Sequence, residues 1–231
     1  MKRHLAGLAL LLPLSWLHAE EAAPMNHPLF DAAFTEGHQV RVEDSDYRFY
    51  ARTIGELELP TGQLVACDPL VSCDGPFTQA VPKGRYPLQL AIARIGDDER
   101  VAFARIVFAP GPATRWEMAL VKGQDPATLG PDEFFGYGVD SGTGGFMDAA
   151  ALRSYEARRN QEGEAFDERL FAELDKTYQH TRSWYLLPTD AGNVAFFSSG
   201  YGDGAYPSYF GYDADGRLVA VVTDFLLVPE R

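Results

Sequence analysis

The sequence predicts an α+β fold in which antiparallel β-strands dominate, arranged as a sandwich or a partly open barrel, with two helices late in the chain. Short runs of alternating apolar residues, separated by turn residues, recur along most of the chain, as antiparallel sheets require. Two segments after residue 148 change to helical spacing. No linker divides the 231 residues, and sheet-rich single domains often reach this length.

The first 19 residues have the parts of a secretory signal peptide. Lys2 and Arg3 give a basic start, residues 5–17 form an apolar run, and Ala19 supplies a small residue for cleavage. The run is shorter than the roughly 20 residues that span a bilayer, so it does not predict a retained anchor. We therefore expect residues 1–19 to be removed, 20–35 to form an N-terminal lead-in, and 36–231 to form one domain of a periplasmic or secreted protein.

The chain is strongly acidic. Its formal charge is −13, and loss of Lys2 and Arg3 with the signal peptide would lower it to −15. A charge of this sign disfavours nucleic acid as a partner, because the phosphate backbone would be repelled. No segment after the signal peptide is predicted to cross a membrane.

The two cysteines lie close together, Cys67 and Cys73 in the segment CDPLVSC. In an oxidising compartment this spacing favours a disulfide whose main use is to fix the turn at Asp68 and Pro69. A metal site would need further thiols or nearby histidines, and a catalytic thiol would be oxidised by the second cysteine. We predict a Cys67–Cys73 disulfide.

Strand patterns fill the N-terminal half. Phe30 and Phe34, four positions apart, predict one helical turn that packs on the body of the domain. The clearest hairpin pairs residues 85–95 with 100–108, and its large and small side chains alternate, which predicts a sheet packed on both faces. The other predicted elements are strands over residues 38–42, 47–53 and 115–121, and a hairpin of residues 56–59 and 63–67.

Helix signals occur in the second half. Asp148, followed by AAAL, predicts an N-cap and a helix to about residue 160. Apolar residues every four positions predict a second helix over residues 164–179. Its apolar stripe is formed by Phe166, Leu170, Leu174 and Tyr178. Two hairpins are predicted after it, one of residues 184–187 and 193–199 and one of residues 206–212 and 217–228.

Two glycine-rich segments are the predicted centre of function. Residues 134–148 and 198–216 hold ten of the 22 glycines, which plain strands avoid because ordering glycine is entropically costly. We expect the two segments to form the walls of one cleft. Its predicted ligand-binding residues are Trp116, Asp140, Gly142, Thr143, Gly144, Asp148, Ser199, Gly200, Asp203, Gly204 and Tyr206.

Carboxylates are the main candidates for chemistry. Glu117 lies inside a predicted strand, whereas Asp140 and Asp203 lie in glycine turns; these three are the candidate acid, base or cation-binding groups. Carboxylates of this kind could hold calcium, but turns commonly use aspartate for their own hydrogen bonds, so no cofactor is predicted and calcium stays an alternative. Ser199 lies in FSSGYG, which lacks the first glycine of the G-x-S-x-G nucleophile elbow. The G-T-G-G segment matches neither the P-loop nor the dinucleotide fingerprint.

Six motifs occur in an order that resembles the DUF4241 family, over residue 64 to the C-terminus. They are CDPL (67–70), VPKGRYP (81–87), RWE (115–117), GYGVDSGTGGFMD (136–148), SSGYGDGAYPSYFGYDADG (198–216) and TDF (223–225). The resemblance implies no reaction. A cysteine often occupies the position of Gly145 in the family pattern, so a mechanism that used that thiol would be absent here. The resemblance implies a shared family core that includes Asp140, Gly142, Asp148, Gly200, Asp203 and Gly204.

Two functional hypotheses follow. In the first, the chain is an exported binding protein, similar in role to an immunity protein or inhibitor, whose acidic, tyrosine- and glycine-rich cleft binds a protein partner. In the second, Glu117, Asp140 and Asp203 serve a hydrolase or metal-assisted enzyme that acts on a small carbohydrate or peptide fragment of the cell envelope. The absence of a complete catalytic set in the sequence favours binding.

Overall fold

A computed structural model describes residues 28–229 of the chain, so the predicted signal peptide lies outside the described residues. The described part contains twelve strands and three α-helices. The helices are α1 (Leu29–Ala32), α2 (Ala149–Glu162) and α3 (Glu164–Asp175). The strands are β1 (Gln39–Val42), β2 (Ser45–Leu59), β3 (Leu64–Cys67), β4 (Gly84–Ile95), β5 (Asp98–Val107), β6 (Arg115–Met118), β7 (Gly136–Val139), β8 (Thr143–Asp148), β9 (Trp184–Thr189), β10 (Gly192–Ser198), β11 (Gly204–Tyr212) and β12 (Leu218–Asp224).

The strands form two antiparallel sheets. The larger sheet has the order β1-β2-β4-β5-β12-β11-β6, and the smaller has the order β3-β8-β10-β9. β6 and β7 share one edge of β11, where β7 pairs with residues 204–207 and β6 with residues 209–212. This arrangement confirms the predicted class, a predominantly antiparallel β fold whose two longer helices, α2 and α3, lie late in the chain.

The core is layered. The two sheets pack face to face, with Leu88 and Ile92 of the larger sheet and Phe146 of the smaller sheet in one apolar cluster. The opposite face of the larger sheet, which carries Ala91 and Ala93, packs with α1. The prediction that the 85–95 strand is packed on both faces is therefore confirmed. The outer face of the smaller sheet is covered by α2 and α3.

The short helix α1 inserts one aromatic side chain into the core. Phe30 is fully buried, with its ring centroid 5.1 Å from that of Trp116 and 5.0 Å from that of Tyr209. Asp31 of the same helix accepts a hydrogen bond from Arg105 on β5. The predicted helical turn that packs on the domain is confirmed.

The predicted hairpin of residues 56–59 and 63–67 is wrong. Residues 45–59 form the single strand β2, which pairs with β4 as far as Leu59 opposite Gly84 and has a bulge near Gly55. After Leu59 the chain crosses to the other sheet, where β3 pairs with β8. A short polar turn is compatible with either a hairpin or a crossing between sheets. Here the crossing forms because β2 and β3 each pair with a strand distant in sequence, β4 and β8 respectively.

The two predicted helices are present, separated only by Gly163 with its φ of 59°. Asp148 is the N-cap of α2 and accepts the Ala150 N–H at 2.8 Å, as predicted. α3 ends at Asp175, short of the predicted residue 179, so Tyr178 lies beyond the helix and is exposed. Neither helix, nor any other within residues 28–229, has the length and apolar character that crossing a membrane requires.

Candidate functional site

Both predicted glycine-rich segments contribute to one end of the sandwich, which we call the loop end. It consists of the turns at residues 96–97, 140–142 and 199–203, the segment 176–183 and the disulfide loop 68–73. The chain crosses between the sheets here twice, from β7 to β8 and from β10 to β11. Antiparallel pairing brings the start of β5 and the end of β12 to this same end.

The two glycine-rich segments meet by strand pairing. Val139 is the register partner of Gly204, and Thr143 is the partner of Ser198. Between these ladders, the Ser199 N–H donates to the Gly142 carbonyl at 3.1 Å. The segments thus form one continuous hydrogen-bonded surface where the sequence predicted a cleft.

The carboxylate of Asp68 holds the first turn in place. Asp68 is buried, and its two oxygens accept the Asp140 N–H at 3.0 Å, the Ser141 N–H at 2.8 Å, the Ser141 hydroxyl at 2.8 Å and the Leu70 N–H at 3.0 Å. A carboxylate with this many donors is a strong structural acceptor. Asp68 therefore ties the disulfide loop to the turn that carries Asp140.

The predicted disulfide is present. The Cys67 and Cys73 sulfur atoms are bonded, and the Cα atoms lie 5.0 Å apart. Within the ring, the N–H groups of Val71 and Ser72 donate to the Asp68 carbonyl. Both the covalent link and these hydrogen bonds fix the backbone from which the Asp68 carboxylate reaches the 140–142 turn.

The second turn is held by its own side chains and by β5. The Ser199 hydroxyl donates to the Gly202 carbonyl at 2.9 Å, and the Tyr206 hydroxyl donates to the same carbonyl at 2.8 Å. Arg100 donates to the Gly200 carbonyl at 3.1 Å. Its guanidinium also lies 4.8 Å from the ring centroid of Tyr201, which leaves this exposed ring stacked on a side chain of the framework.

Several glycines of the two segments make room for neighbouring protein atoms. A Cβ on Gly144 would lie 2.9 Å from the Tyr137 hydroxyl oxygen, and one on Gly145 would overlap the Pro69 ring. A Cβ on Gly211 would overlap Trp116. Close packing accounts for these glycines without a ligand.

The predicted site residues divide into two groups. The loop end brings together Asp140, Gly142, Thr143, Ser199, Gly200, Asp203, Gly204 and Tyr206. Within this group Asp140, Asp203 and Gly204 are exposed, whereas Ser199, Gly200 and Tyr206 are buried. Gly144 is buried between the two sheets. Trp116, only 2 % exposed, lies in the core beside α1, and Asp148 lies at the opposite end of β8, so neither borders the loop end.

The Asp148 carboxylate accepts hydrogen bonds from the backbone around it. Besides capping α2, its carboxylate accepts the N–H groups of Thr61 and Gly62 and the Thr61 hydroxyl. These bonds fix the crossing from β2 to β3. Asp148 is fully buried, so its carboxylate faces protein donors on every side.

Glu117 lies apart from the two aspartates. It is the register partner of Phe210, and the six residue steps along β11 from Gly204 to Phe210 correspond to roughly 20 Å of strand. Its side chain is half exposed and pairs with Arg115. Within the described residues no group of three or more His, Cys, Asp or Glu side chains is arranged to hold a metal ion, so the three candidate carboxylates do not assemble a calcium site.

Asp140 and Asp203 come closest to the predicted pair. Val139 and Gly204 are the last register pair of the β7–β11 ladder. Asp140 follows Val139 and Asp203 precedes Gly204, so the two aspartates lie opposite each other at the next position of this ladder. Both side chains are exposed, and neither forms a salt bridge with a residue of 28–229. They give the loop end two uncompensated negative charges.

A buried ion pair that the sequence did not indicate lies beneath the loop end. Glu99, with 9 % of its side chain exposed, accepts hydrogen bonds from Tyr50 at 2.7 Å, Arg94 at 2.7 Å and Arg182 at 2.8 Å. Thr181, next to Arg182, donates to the Glu99 carbonyl. The cluster joins the segment 176–183 to the larger sheet.

Burial and hydrogen bonding shift the pKa of Glu99 in opposite directions. Burial alone would raise the pKa of this carboxyl, but the hydrogen bonds from Tyr50, Arg94 and Arg182 outweigh burial and lower the pKa to about 2. Glu99 therefore stays ionised across the physiological range. It acts as an anionic anchor for the loop end.

Sequence patterns could not reveal these framework residues. Glu99 sits in DDER, which reads as an exposed hairpin, and Arg182 sits in a segment without periodicity. The sequence around Asp68 predicts only that this residue belongs to the turn of the disulfide loop. Among the loop-end residues that were not predicted, only Tyr201 has a signal in the sequence. It lies between Gly200 and Gly202, and an aromatic residue between two glycines indicates an exposed turn.

A family model described as a protein of unknown function, DUF4241, matches residues 57–223. The match begins within β2 and ends within β12, so it includes both glycine-rich segments and Asp68. No curated protein and no solved structure matches the chain significantly. Since the family model covers well over half of the 231 residues, the chain belongs to the DUF4241 family.

Proposed function

We propose that this chain is an exported binding protein whose loop end docks on a basic surface of a partner protein. The observation that carries the proposal is the exposed Tyr201, 63 % accessible, on a rigid turn flanked by the unpaired carboxylates of Asp140 and Asp203. Tyrosine is one of the residue types that dominate protein–protein affinity.

Preorganisation supports this function. The turn 140–142 is fixed by Asp68, and the turn 199–203 is fixed by Ser199, Tyr206 and Arg100. A surface whose backbone is already hydrogen-bonded loses little conformational entropy on binding. More of the free energy of contact at the loop end is therefore available as binding affinity.

Charge complementarity indicates the chemistry of the partner. The chain carries a formal charge of −13, and Asp140 and Asp203 at the loop end form no salt bridge with a residue of 28–229, since the nearby Arg100 and Arg182 pair with Asp98 and Glu99. Opposite charge on the partner would accelerate association and orient the encounter. A basic protein that enters the periplasm, such as the toxin that an immunity protein binds, would complement this surface.

The test compares the loop end with the far end of the sandwich. A loop-end variant, Tyr201→Ala with Asp140→Asn and Asp203→Asn, is matched by a far-end variant with Asp190→Asn and Asp215→Asn, which alters exposed turns. Each immobilised protein is incubated with periplasmic extract at low and at moderate salt. We expect a basic partner to be retained by wild type and by the far-end variant, to be lost from the loop-end variant, and to weaken with salt.

Equal retention by all three proteins would contradict the proposal. Export is tested separately by mass spectrometry of the mature chain, which should begin at Glu20. An intact N-terminus in the cytoplasmic fraction would contradict the exported part of the proposal.

The second candidate, an enzyme or metal-assisted hydrolase, is favoured by one observation, the adjacency of Asp140 and Asp203 on the β7–β11 ladder. Paired carboxylates perform acid–base hydrolysis in glycosidases. Two cavities within residues 28–229, of about 210 and 20 Å³, are lined by other residues and not by these aspartates. A rise in melting temperature with calcium or a cell-wall fragment, absent in Asp140→Asn, would favour this candidate.

A further inference from the structure

A cavity of about 210 Å³ lies in the helical layer, between α3, the end of α2 and β9. Its volume corresponds to roughly seven water molecules, which suits a small organic molecule. The buried side chains of Phe166, Leu170 and Leu187 give it an apolar floor. The cavity shares no residue with the loop end.

Two arginines form the polar rim of the cavity. Arg158 Nε donates to one oxygen of the Glu162 carboxylate at 2.8 Å, and Arg169 binds the other oxygen. These contacts use one nitrogen of each guanidinium, and an arginine has five N–H donors. Both arginines therefore keep donors for a second acceptor beside Glu162.

The charge around the cavity is opposite to that of the chain. Among the residues that line the cavity, Arg158 and Arg169 outnumber Glu173, which is paired with Lys176 outside the lining. Burial, reinforced by Glu173, raises the pKa of Tyr185 in the cavity wall, so its hydroxyl stays protonated and can donate a hydrogen bond. In a protein of charge −13, this rim is a local site for an anion.

We propose that the cavity binds a small amphipathic carboxylate. The carboxylate lies beside Arg158 and Arg169, where the planar guanidinium groups match its geometry. The apolar body covers Phe166, Leu170 and Leu187. A molecule of this class has about ten to fifteen non-hydrogen atoms, for which affinity on the order of a millimolar is expected.

The test is an amide NMR titration of the oxidised, full mature protein with 3-phenylpropionate. We expect saturable shifts confined to residues 158–173 and 185–188, which surround the cavity. The neutral alcohol 3-phenylpropan-1-ol and the bare anion acetate should both bind at least about tenfold more weakly, because each lacks one of the two interactions.

Matched variants separate the arginines from general charge. Arg158→Gln with Arg169→Gln should weaken 3-phenylpropionate at least about tenfold, whereas Arg153→Gln, an exposed arginine on α2, should leave binding unchanged. Glu173→Gln should tighten binding by removing a like charge. The proposal fails if the alcohol or acetate binds as well as the acid, if no saturable shift occurs, or if the double variant retains wild-type affinity.

Discussion

Three buried carboxylates organise the molecule at the residue scale. Asp68 fixes the turn of Asp140, Asp148 fixes the crossing from β2 to β3, and Glu99 fixes the segment 176–183. Each accepts three or more hydrogen bonds, which offsets the desolvation that burial imposes on a charge. The aspartates of the family motifs thus include structural groups as well as the exposed pair Asp140 and Asp203.

Glu99 makes stability depend on pH in acid. Its folded-state pKa of about 2 lies below the ordinary value of 4.5, so its contribution is complete above pH 4.5 and is lost as pH falls toward 2. Between pH 5 and 3 this single group should remove about 2 kcal/mol of unfolding free energy. The measurement is denaturant unfolding at the two pH values, in wild type and in Glu99→Gln.

The Glu99→Gln variant should lack this part of the acid sensitivity, since glutamine does not titrate. The exposed Glu156→Gln on α2 is the matched control and should retain it. If Glu99→Gln lost as much stability as wild type between pH 5 and 3, the assigned role of the Glu99 cluster would be wrong.

At the scale of elements, the small helix α1 is a structural plug. Four residues cannot form a stable helix alone, because nucleation is unfavourable in so short a segment. α1 persists because Phe30 fills a pocket between Phe103, Trp116 and Tyr209. Packing, rather than helix propensity, therefore holds the start of the domain.

Phe30→Ala should destabilise the domain by about 3 to 5 kcal/mol, the usual cost of emptying a buried phenylalanine site. Phe171→Ala on α3 is the matched control, since that ring is 48 % exposed, and should change stability by about 0.5 kcal/mol or less. Urea unfolding of both variants provides the comparison. Similar losses in the two would contradict the plug.

At the scale of the whole molecule, the layers share strands. β4 and β5 contribute to the clusters on both faces of the larger sheet, and β8 and β10 contribute to both faces of the smaller one. No layer can therefore lose its packing without exposing an adjacent one. The domain should behave as one cooperative unit.

Heating or denaturant should produce a single transition. Far-ultraviolet circular dichroism, which reports both helices and sheets, should coincide with tryptophan fluorescence from Trp116 and Trp184, which lie in different layers. Two separated transitions, with α2 and α3 melting before the sheets, would contradict the shared-strand description.

Much of the fold could be predicted because its signals are local. The 85–95 and 100–108 hairpin, the Asp148 N-cap and the Phe30 turn each depend on neighbouring residues, and all three are present. The hairpin of residues 56–59 and 63–67 was wrong because strand partners distant in sequence decided the pairing.

The sequence by itself determined the strand-rich class, the disulfide and the two segments that meet at the loop end, since these follow from alternation, cysteine spacing and clustered glycine. Only the tertiary structure decided that Asp140 and Asp203 share a ladder position while Glu117 lies far along β11. The tertiary structure also shows that Trp116 and Asp148 are buried and that Glu99 pairs with Arg182, neither of which the sequence indicates. The physical reason is that a local pattern specifies which face a side chain occupies, whereas its neighbours across sheets depend on register and on the crossings between layers.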